Sequence, residues 1–177
     1  MAAFNHSVDP TLAAMDALHE RASGDPPRPH LGASQIGHPC ARALWYGFRW
    51  AIARKISAKG HRAIADGHRG EAVMAGWLRQ IPGVELWLED PEQPGRQIGF
   101  LDHAGHFGGS VDGVIVGLLQ APKTPHVWEC KVVNETKFRK LVKLIVEKGE
   151  KSALAEWDEV YFAQAQIYLK YLGLTRH

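Results

Sequence analysis

Cysteine is scarce in this 177-residue chain, with Cys40 and Cys130 as the only two. They form no CxxC pair and offer no disulfide framework, so a reducing compartment fits. Long apolar runs are missing as well. No stretch approaches the roughly 18 residues of a membrane span, and the N-terminus lacks the charged-then-apolar pattern of a secretory leader. These absences predict a cytoplasmic protein with no membrane partner. A strong charge of one sign is also absent, since the net charge is +2, too small to identify a partner. No internal repeat or low-complexity tract occurs. What remains has the composition of an ordinary globule, 45% hydrophobic and 23% charged, long enough for one domain with its own core.

The distribution of charge says more than its sum. From Arg42 to Arg69 there are seven basic residues (Arg42, Arg49, Arg54, Lys55, Lys59, Arg62, Arg69) and one acid, Asp66. A second basic cluster is Lys137, Arg139, Lys140 and Lys143. Each block reads either as a phosphate-contacting surface or as a solvated helix face. Residues 1–30 are expected to hold a short helix over Thr11–His19 and a linker at Ser23–Pro29, where three prolines in four positions forbid a helix. Residues 31–177 are expected to form a single domain. Ser34 is a candidate N-cap, and Leu44, Phe48 and Ile52 at helical spacing predict a helix over Cys40–Ala53. A long helix is predicted over Ala58–Gln80. The period then changes to two, predicting strands at Val84–Glu89, Arg96–Leu101, Gly108–Leu118 and Val127–Val133. Asn134 is expected to cap a helix over Lys137–Glu147, and a last helix is predicted over Ser152–Leu172. This order predicts an α/β sandwich with a mixed central sheet flanked by helices.

The stretch from His126 to Val133 carries two charges within a β-branched run. In a strand, Glu129 and Lys131 share one face, and Cys130 takes the other. Buried charges persist when they are paired or ligate a metal. Upstream, Asp112 is the one acid in a second apolar run, with Gly113 after it leaving room for a phosphate backbone. Phosphodiester hydrolysis needs an activated water and stabilisation of phosphoryl charge. Mg²⁺, with Mn²⁺ as its substitute, supplies both through oxygen ligands. Asp112 and Glu129 are therefore candidate ligands, joined by the Cys130 backbone carbonyl. Lys131 is the candidate to orient or help deprotonate the water and offset negative charge. Glu71 offers a third carboxylate from the long helix. Gln164 and Tyr168 lie one turn apart on the last helix.

The order Gly67-x-x-x-Glu71, Asp112, Glu129-x-Lys131, Gln164-x-x-x-Tyr168 resembles the PD-(D/E)xK nuclease superfamily, in particular its RecB-like and phage lambda-type exonuclease branch. The resemblance covers about Leu31 to Leu174. It implies a restriction-endonuclease-like core and a Mg²⁺-dependent DNA nuclease, with an exonuclease on linear duplex DNA in recombination or end processing as the leading reading. It implies metal binding by Glu71, Asp112 and Glu129, catalysis by Lys131, and support from Gln164. The segment Leu31-Gly32-Ala33-Ser34-Gln35-Ile36-Gly37, with Cys40 to Tyr46 after it, is similar to an N-terminal motif of these nucleases. It suggests Ser34, Arg42 and Arg28 as DNA contacts, with Tyr168 a further one. A recombinase or single-strand-annealing partner and an oligomer are compatible with the resemblance, as is host cytoplasm for a phage-encoded protein. Some relatives hold an iron–sulfur cluster on four cysteines; with two, none is expected here.

Rival readings remain. Glu135-Thr136-Lys137 repeats the Glu-x-Lys pattern at a polar helix start, where local helix contacts are expected. His68 competes with Glu71 as a ligand, although Mg²⁺ prefers oxygen. His38 and Cys40 lack a further ligand pair for zinc. Trp45, Tyr46, Phe48 and Trp50 are expected to pack in the core rather than stack on bases. An endonuclease of the same superfamily and a non-catalytic DNA-binding or assembly module are the alternative functions.

Overall fold

The structure, a computed structural model, describes residues 9–21, 28–51 and 56–177. Most of the expected linker, together with Ile52, Ala53, Arg54 and Lys55, lies outside the described residues. The helices are α1 (Pro10–Arg21), α2 (Ala41–Phe48), α3 (Ala58–Leu78), α4 (Glu135–Lys148), α5 (Glu150–Trp157) and α6 (Glu159–Leu172). The strands are β1 (Leu31–Gly32), β2 (Glu85–Trp87), β3 (Gly99–Asp102), β4 (Phe107–Ser110), β5 (Gly113–Val116) and β6 (His126–Trp128). Helices and small sheets mix along the chain, so the class is α/β. No helix among the described residues is long and apolar enough to cross a membrane.

The single mixed sheet expected from the strand pattern is instead two sheets of three strands, ordered β1-β4-β3 and β2-β5-β6. The first has one parallel pair, β1 with β4, and the second is antiparallel throughout. The division falls inside the expected strand Gly108–Leu118. Val111 is fully buried and its N–H donates to the Ile98 carbonyl at 2.9 Å, so it stays with the β3 side. Asp112 turns to accept a bond from the Cys130 amide, and the chain re-enters pairing in the second sheet as β5.

Successive β5 residues face opposite layers. Val114 packs against the cluster of Ala33, Val111, Val127 and Tyr168, while Ile115 packs with Ala75 of α3 and Leu86. Strand β5 therefore lies between α3 and α6, which is why its sequence is apolar on both faces. Gly109 permits the α6 contact: a Cβ there would stand 2.8 Å from the Ala33 Cβ and 2.9 Å from Tyr168 Cε1. Helix α1 packs on α3, with the His19 and His61 rings stacked at 6.4 Å and Asp16 paired to Arg62.

Several element ends differ from expectation for local reasons. Ser34 caps no helix; it sits inside a 3₁₀ turn, Ala33–Gln35, and α2 begins after Cys40 without a side-chain cap. Helix α2 stops at Phe48, and Trp50 takes a left-handed backbone (φ 53°) that a helix cannot continue through. Ser57 caps α3 by accepting from the Gly60 N–H at 3.2 Å, and Asn134 caps α4 by accepting from Lys137 N–H at 2.9 Å. The last helix is two helices, because Asp158 has extended backbone (φ −158°) and starts α6 afresh. Its Oδ1 accepts from the Val160 and Tyr161 amides, each at 3.1 Å, and its Oδ2 pairs with Lys137 Nζ at 2.6 Å.

One carboxylate thus satisfies two helix-end donors and joins α4 to α6. Asp158→Ala is expected to lower stability by about 1–2 kcal/mol, the usual cost of an N-cap. Urea unfolding measures this, and an unchanged midpoint would show that the cap contributes nothing.

Candidate active site

The register of the second sheet assembles the site. Gly113 pairs with Trp128 and Val114 with Val127, so one step further places Asp112 opposite Glu129. The ladder ends there. The strand expected through Val133 stops at Trp128, and Glu129, Cys130 and Lys131 lie in irregular backbone at its end. Asp112 Oδ2 accepts a hydrogen bond from the Cys130 N–H at 2.8 Å, which ties the acid to the segment that carries the other two charges.

Glu129 is the centre of the arrangement. Its side chain is 14% exposed. Oε2 accepts from Lys131 Nζ at 2.6 Å and from Gln164 Nε2 at 3.0 Å. Oε1 is buried and has no hydrogen-bond partner. Gln164, itself buried, also donates to Tyr168 Oη at 3.2 Å, and Tyr168 donates to the Ser110 carbonyl at 2.7 Å. A chain of bonds therefore runs from β4 through α6 to Glu129. Glu71 reaches the same region from α3, where its neighbour Gly70 meets Val132 so closely that a Cβ would collide with Val132 Cγ2. His68, the rival to Glu71, is 77% exposed and stands 4.0 Å from the Glu71 carboxylate.

The electrostatics are those of acids crowded together without enough positive charge. Burial pushes the Glu129 carboxyl up to about 7, with the Asp112 charge adding to it, despite the opposing Lys131 ammonium. Burial, then Asp112, raises Glu71. Burial, then Asp112 and Glu71, raises the Cys130 thiol and keeps it protonated. Burial draws Lys131 down, but the charge and hydrogen bond of Glu129 outweigh it, leaving a firmly held ammonium. Burial and then the Glu129 charge push the Tyr168 hydroxyl up to about 12.

A divalent cation fits this deficit. It would neutralise the repulsion between Asp112, Glu129 and Glu71 and give Glu129 Oε1 the partner it lacks. No group of three or more His, Cys, Asp or Glu side chains among the described residues stands ready to hold a metal. Mg²⁺ does not require one, since it is commonly held by one or two carboxylates and keeps several waters.

Other expected residues fall elsewhere. Tyr168 was expected to meet DNA, but it is 2% exposed, its ring lies in the core and its hydroxyl is engaged on both sides. It steadies Gln164 instead. Ser34 and Arg42 are exposed, on the 3₁₀ turn and α2, and neither joins the bonds around Glu129. Arg28 is exposed, three residues before β1, and its positive charge is felt at Tyr168. Trp45 and Trp50, expected in the core, are 56% and 55% exposed, and Tyr46 is exposed too; only Phe48 is half-buried. The His38 ring accepts from the Cys40 amide at 3.0 Å, a local turn bond.

Two residues of the site escaped the sequence reading. Lys131 Nζ lies 5.5 Å from the centroid of the Tyr161 ring, and Lys137 Nζ lies 4.3 Å from the same centroid. Tyr161 is three residues before Gln164, on the same face of α6, and that spacing was its available signal. Lys137 belongs to the second Glu-x-Lys. Glu135 does make the local contact expected of that motif, with Arg139 at 2.6 Å, but Lys137 reaches across to Asp158 and Tyr161. Comparison of the chain with protein-family models, curated proteins and solved structures returns no match.

Proposed function

We propose that this chain is a Mg²⁺-dependent deoxyribonuclease of the PD-(D/E)xK type, an exonuclease acting on linear duplex DNA in recombination or end processing. The observation that carries the reading is the Glu129 carboxylate: largely buried, opposite Asp112, held on one oxygen by Lys131 and Gln164, and bare on the other. The sheet β2-β5-β6 between α3 and α6 is the part of the fold that would correspond to a restriction-endonuclease-like core.

Asp112 and Glu129 would hold the metal, with the Cys130 carbonyl and Glu71 completing the shell directly or through water. Bound there, Mg²⁺ would supply an activated water and charge stabilisation at the phosphoryl oxygens. The chain's own groups do the rest. The Cys130 amide fixes Asp112, and Gln164 fixes the Glu129 oxygen that also binds Lys131. The Lys131 ammonium, anchored on that oxygen and on the Tyr161 ring, orients the water and offsets the charge that develops on the phosphate. Ser34, Arg42 and Arg28 remain candidate phosphate contacts on the exposed N-terminal segment.

The lack of a ready three-donor group among the described residues favours one second reading, a DNA-binding module of the same fold. Both readings, and the endonuclease alternative, are separated by digesting 5′- and 3′-labelled linear DNA and closed circular DNA in Mg²⁺, Mn²⁺ and EDTA. The exonuclease degrades linear DNA from an end and leaves the circle intact. An endonuclease cuts the circle. A binding module leaves both uncut while retaining DNA with a steep salt dependence.

A further inference from the structure

We propose that a cavity apart from the carboxylates is a binding site for one nucleoside monophosphate unit. The cavity measures about 480 Å³ and lies between β1, α2, β4, α6 and the turn His103–Gly105. That size is within the roughly 300–1,000 Å³ of small-molecule sites. Asp112, Glu129 and Lys131 take no part in its wall.

The lining specifies the ligand class. Leu31, Ile36 and Ile167 supply aliphatic surface, and Phe48, Phe107 and Tyr171 supply rings. The remaining wall residues are His103, His106 and Lys170, and no acid is among them. A ligand that satisfies this wall has a flat apolar body and an anionic end. A nucleotide unit has both: a base with faces that stack on rings, and a phosphate for an ammonium and imidazole N–H groups. The Phe48 and His106 rings already meet edge to face at 5.7 Å, and Tyr171 lies parallel to Phe100 at 3.8 Å, so the aromatic wall is held in place. Inorganic phosphate would leave the apolar surface wet, and a bare aromatic would make no use of Lys170 or the two imidazoles.

One acid, Asp102, stands beside the cavity; its oxygens are engaged by the wall residues His103 and Tyr171, and the Lys170 charge is felt there too. Asp102 Oδ1 accepts from the His103 N–H and Oδ2 from the Tyr171 hydroxyl, each at 2.6 Å, and Oδ2 lies 3.9 Å from His103 Nε2. The rim carries a second mark of a site. His103 (φ 51°) and Ala104 (φ 54°) are consecutive non-glycine residues with left-handed backbone. Strain of this kind collects where ligands bind.

Lys170 is six residues after Gln164 on α6, so about 9 Å separates the two levels along the helix axis. With one phosphate every ~3.4 Å of a stacked strand, that is two or three nucleotides. Use of the cavity by the substrate strand rests on the nuclease reading; the binding itself does not.

The test is calorimetric titration with dAMP, deoxyadenosine, inorganic phosphate and a (dA)₄ oligonucleotide in EDTA, followed by backbone amide NMR. The expected result is dAMP binding at least tenfold tighter than either deoxyadenosine or phosphate. Amide shifts should centre on residues 103–106 and 167–170, and Lys170→Glu should weaken dAMP at least tenfold without lowering the melting temperature. Tighter binding of (dA)₄ than of dAMP assigns the site to a DNA strand; equal or weaker binding assigns it to the free mononucleotide, and either result supports the site. It is overturned if dAMP binds no better than its parts, if Lys170→Glu has no effect, or if the shifts appear around Glu129 instead. Because EDTA prevents turnover, failure of the nuclease reading would leave this result intact.

Discussion

Lys131→Ala is expected to lower the proposed degradation of linear duplex DNA by about 10²- to 10⁴-fold, the range for losing a positioned proton-handling or charge-stabilising group. The ammonium stands 2.6 Å from Glu129 Oε2 and 5.5 Å from the centre of the Tyr161 ring. It is therefore held on two sides and lies close enough to Asp112 to feel its charge. Removing it deletes the only side-chain cation bonded to Glu129 among the described residues. The fold should survive, since Lys131 lies beyond the end of β6 and outside both core clusters. DNA binding in EDTA should also persist, because the basic residues of the N-terminal segment are untouched. Single-turnover kinetics on end-labelled DNA, beside circular dichroism and a binding isotherm, give the three readouts. Undiminished cleavage by the variant would remove Lys131 from the chemistry.

Glu129→Gln should abolish cleavage while changing how stability depends on pH and metal. Burial raises the folded-state value of Glu129 to about 7, above the ordinary carboxylate value of an unfolded chain. The sign follows directly. The neutral acid is favoured in the fold, so its contribution is fully present below pH ~4.5 and is lost as pH rises towards 7. In EDTA the wild-type chain should lose on the order of 1–3 kcal/mol across that window from this group, the opposing effect of Lys131 being already contained in that value. The glutamine variant, neutral at every pH, should lose that decline. Mg²⁺ or Mn²⁺ should raise the wild-type melting temperature above pH 7, where the carboxylate is charged, and have little effect on the variant. Thermal unfolding from pH 5 to 8, with and without metal, measures both. A metal-induced rise of the same size in both proteins would place the cation elsewhere.

The site was more legible in the sequence than the sheets were. Asp112 and Glu129-x-Lys131 stood out because a charge inside an apolar run needs a partner, and the β5–β6 register brings them opposite each other. Asn134 was readable as a cap because its partner is three residues away. The break at Asp112 was not readable, because the apolar run continues through it and the bond that turns it comes from Cys130, eighteen residues on. Asp158 hid inside an apparently continuous helical pattern, since its cap bonds depend on where α5 ends. Tyr168 carried the right helical spacing for a site residue, yet spacing cannot distinguish a side chain that faces DNA from one that faces the core. Lys137 looked like a local helix contact, and its reach to Tyr161 depends on how α4 packs against α6.

The most direct measurement is release of nucleotides from linear duplex DNA by the unaltered chain in Mg²⁺ and in EDTA. The expected result is progressive loss of duplex from an end in Mg²⁺ and none in EDTA. Linear DNA that is bound but remains intact in both Mg²⁺ and Mn²⁺ would contradict it.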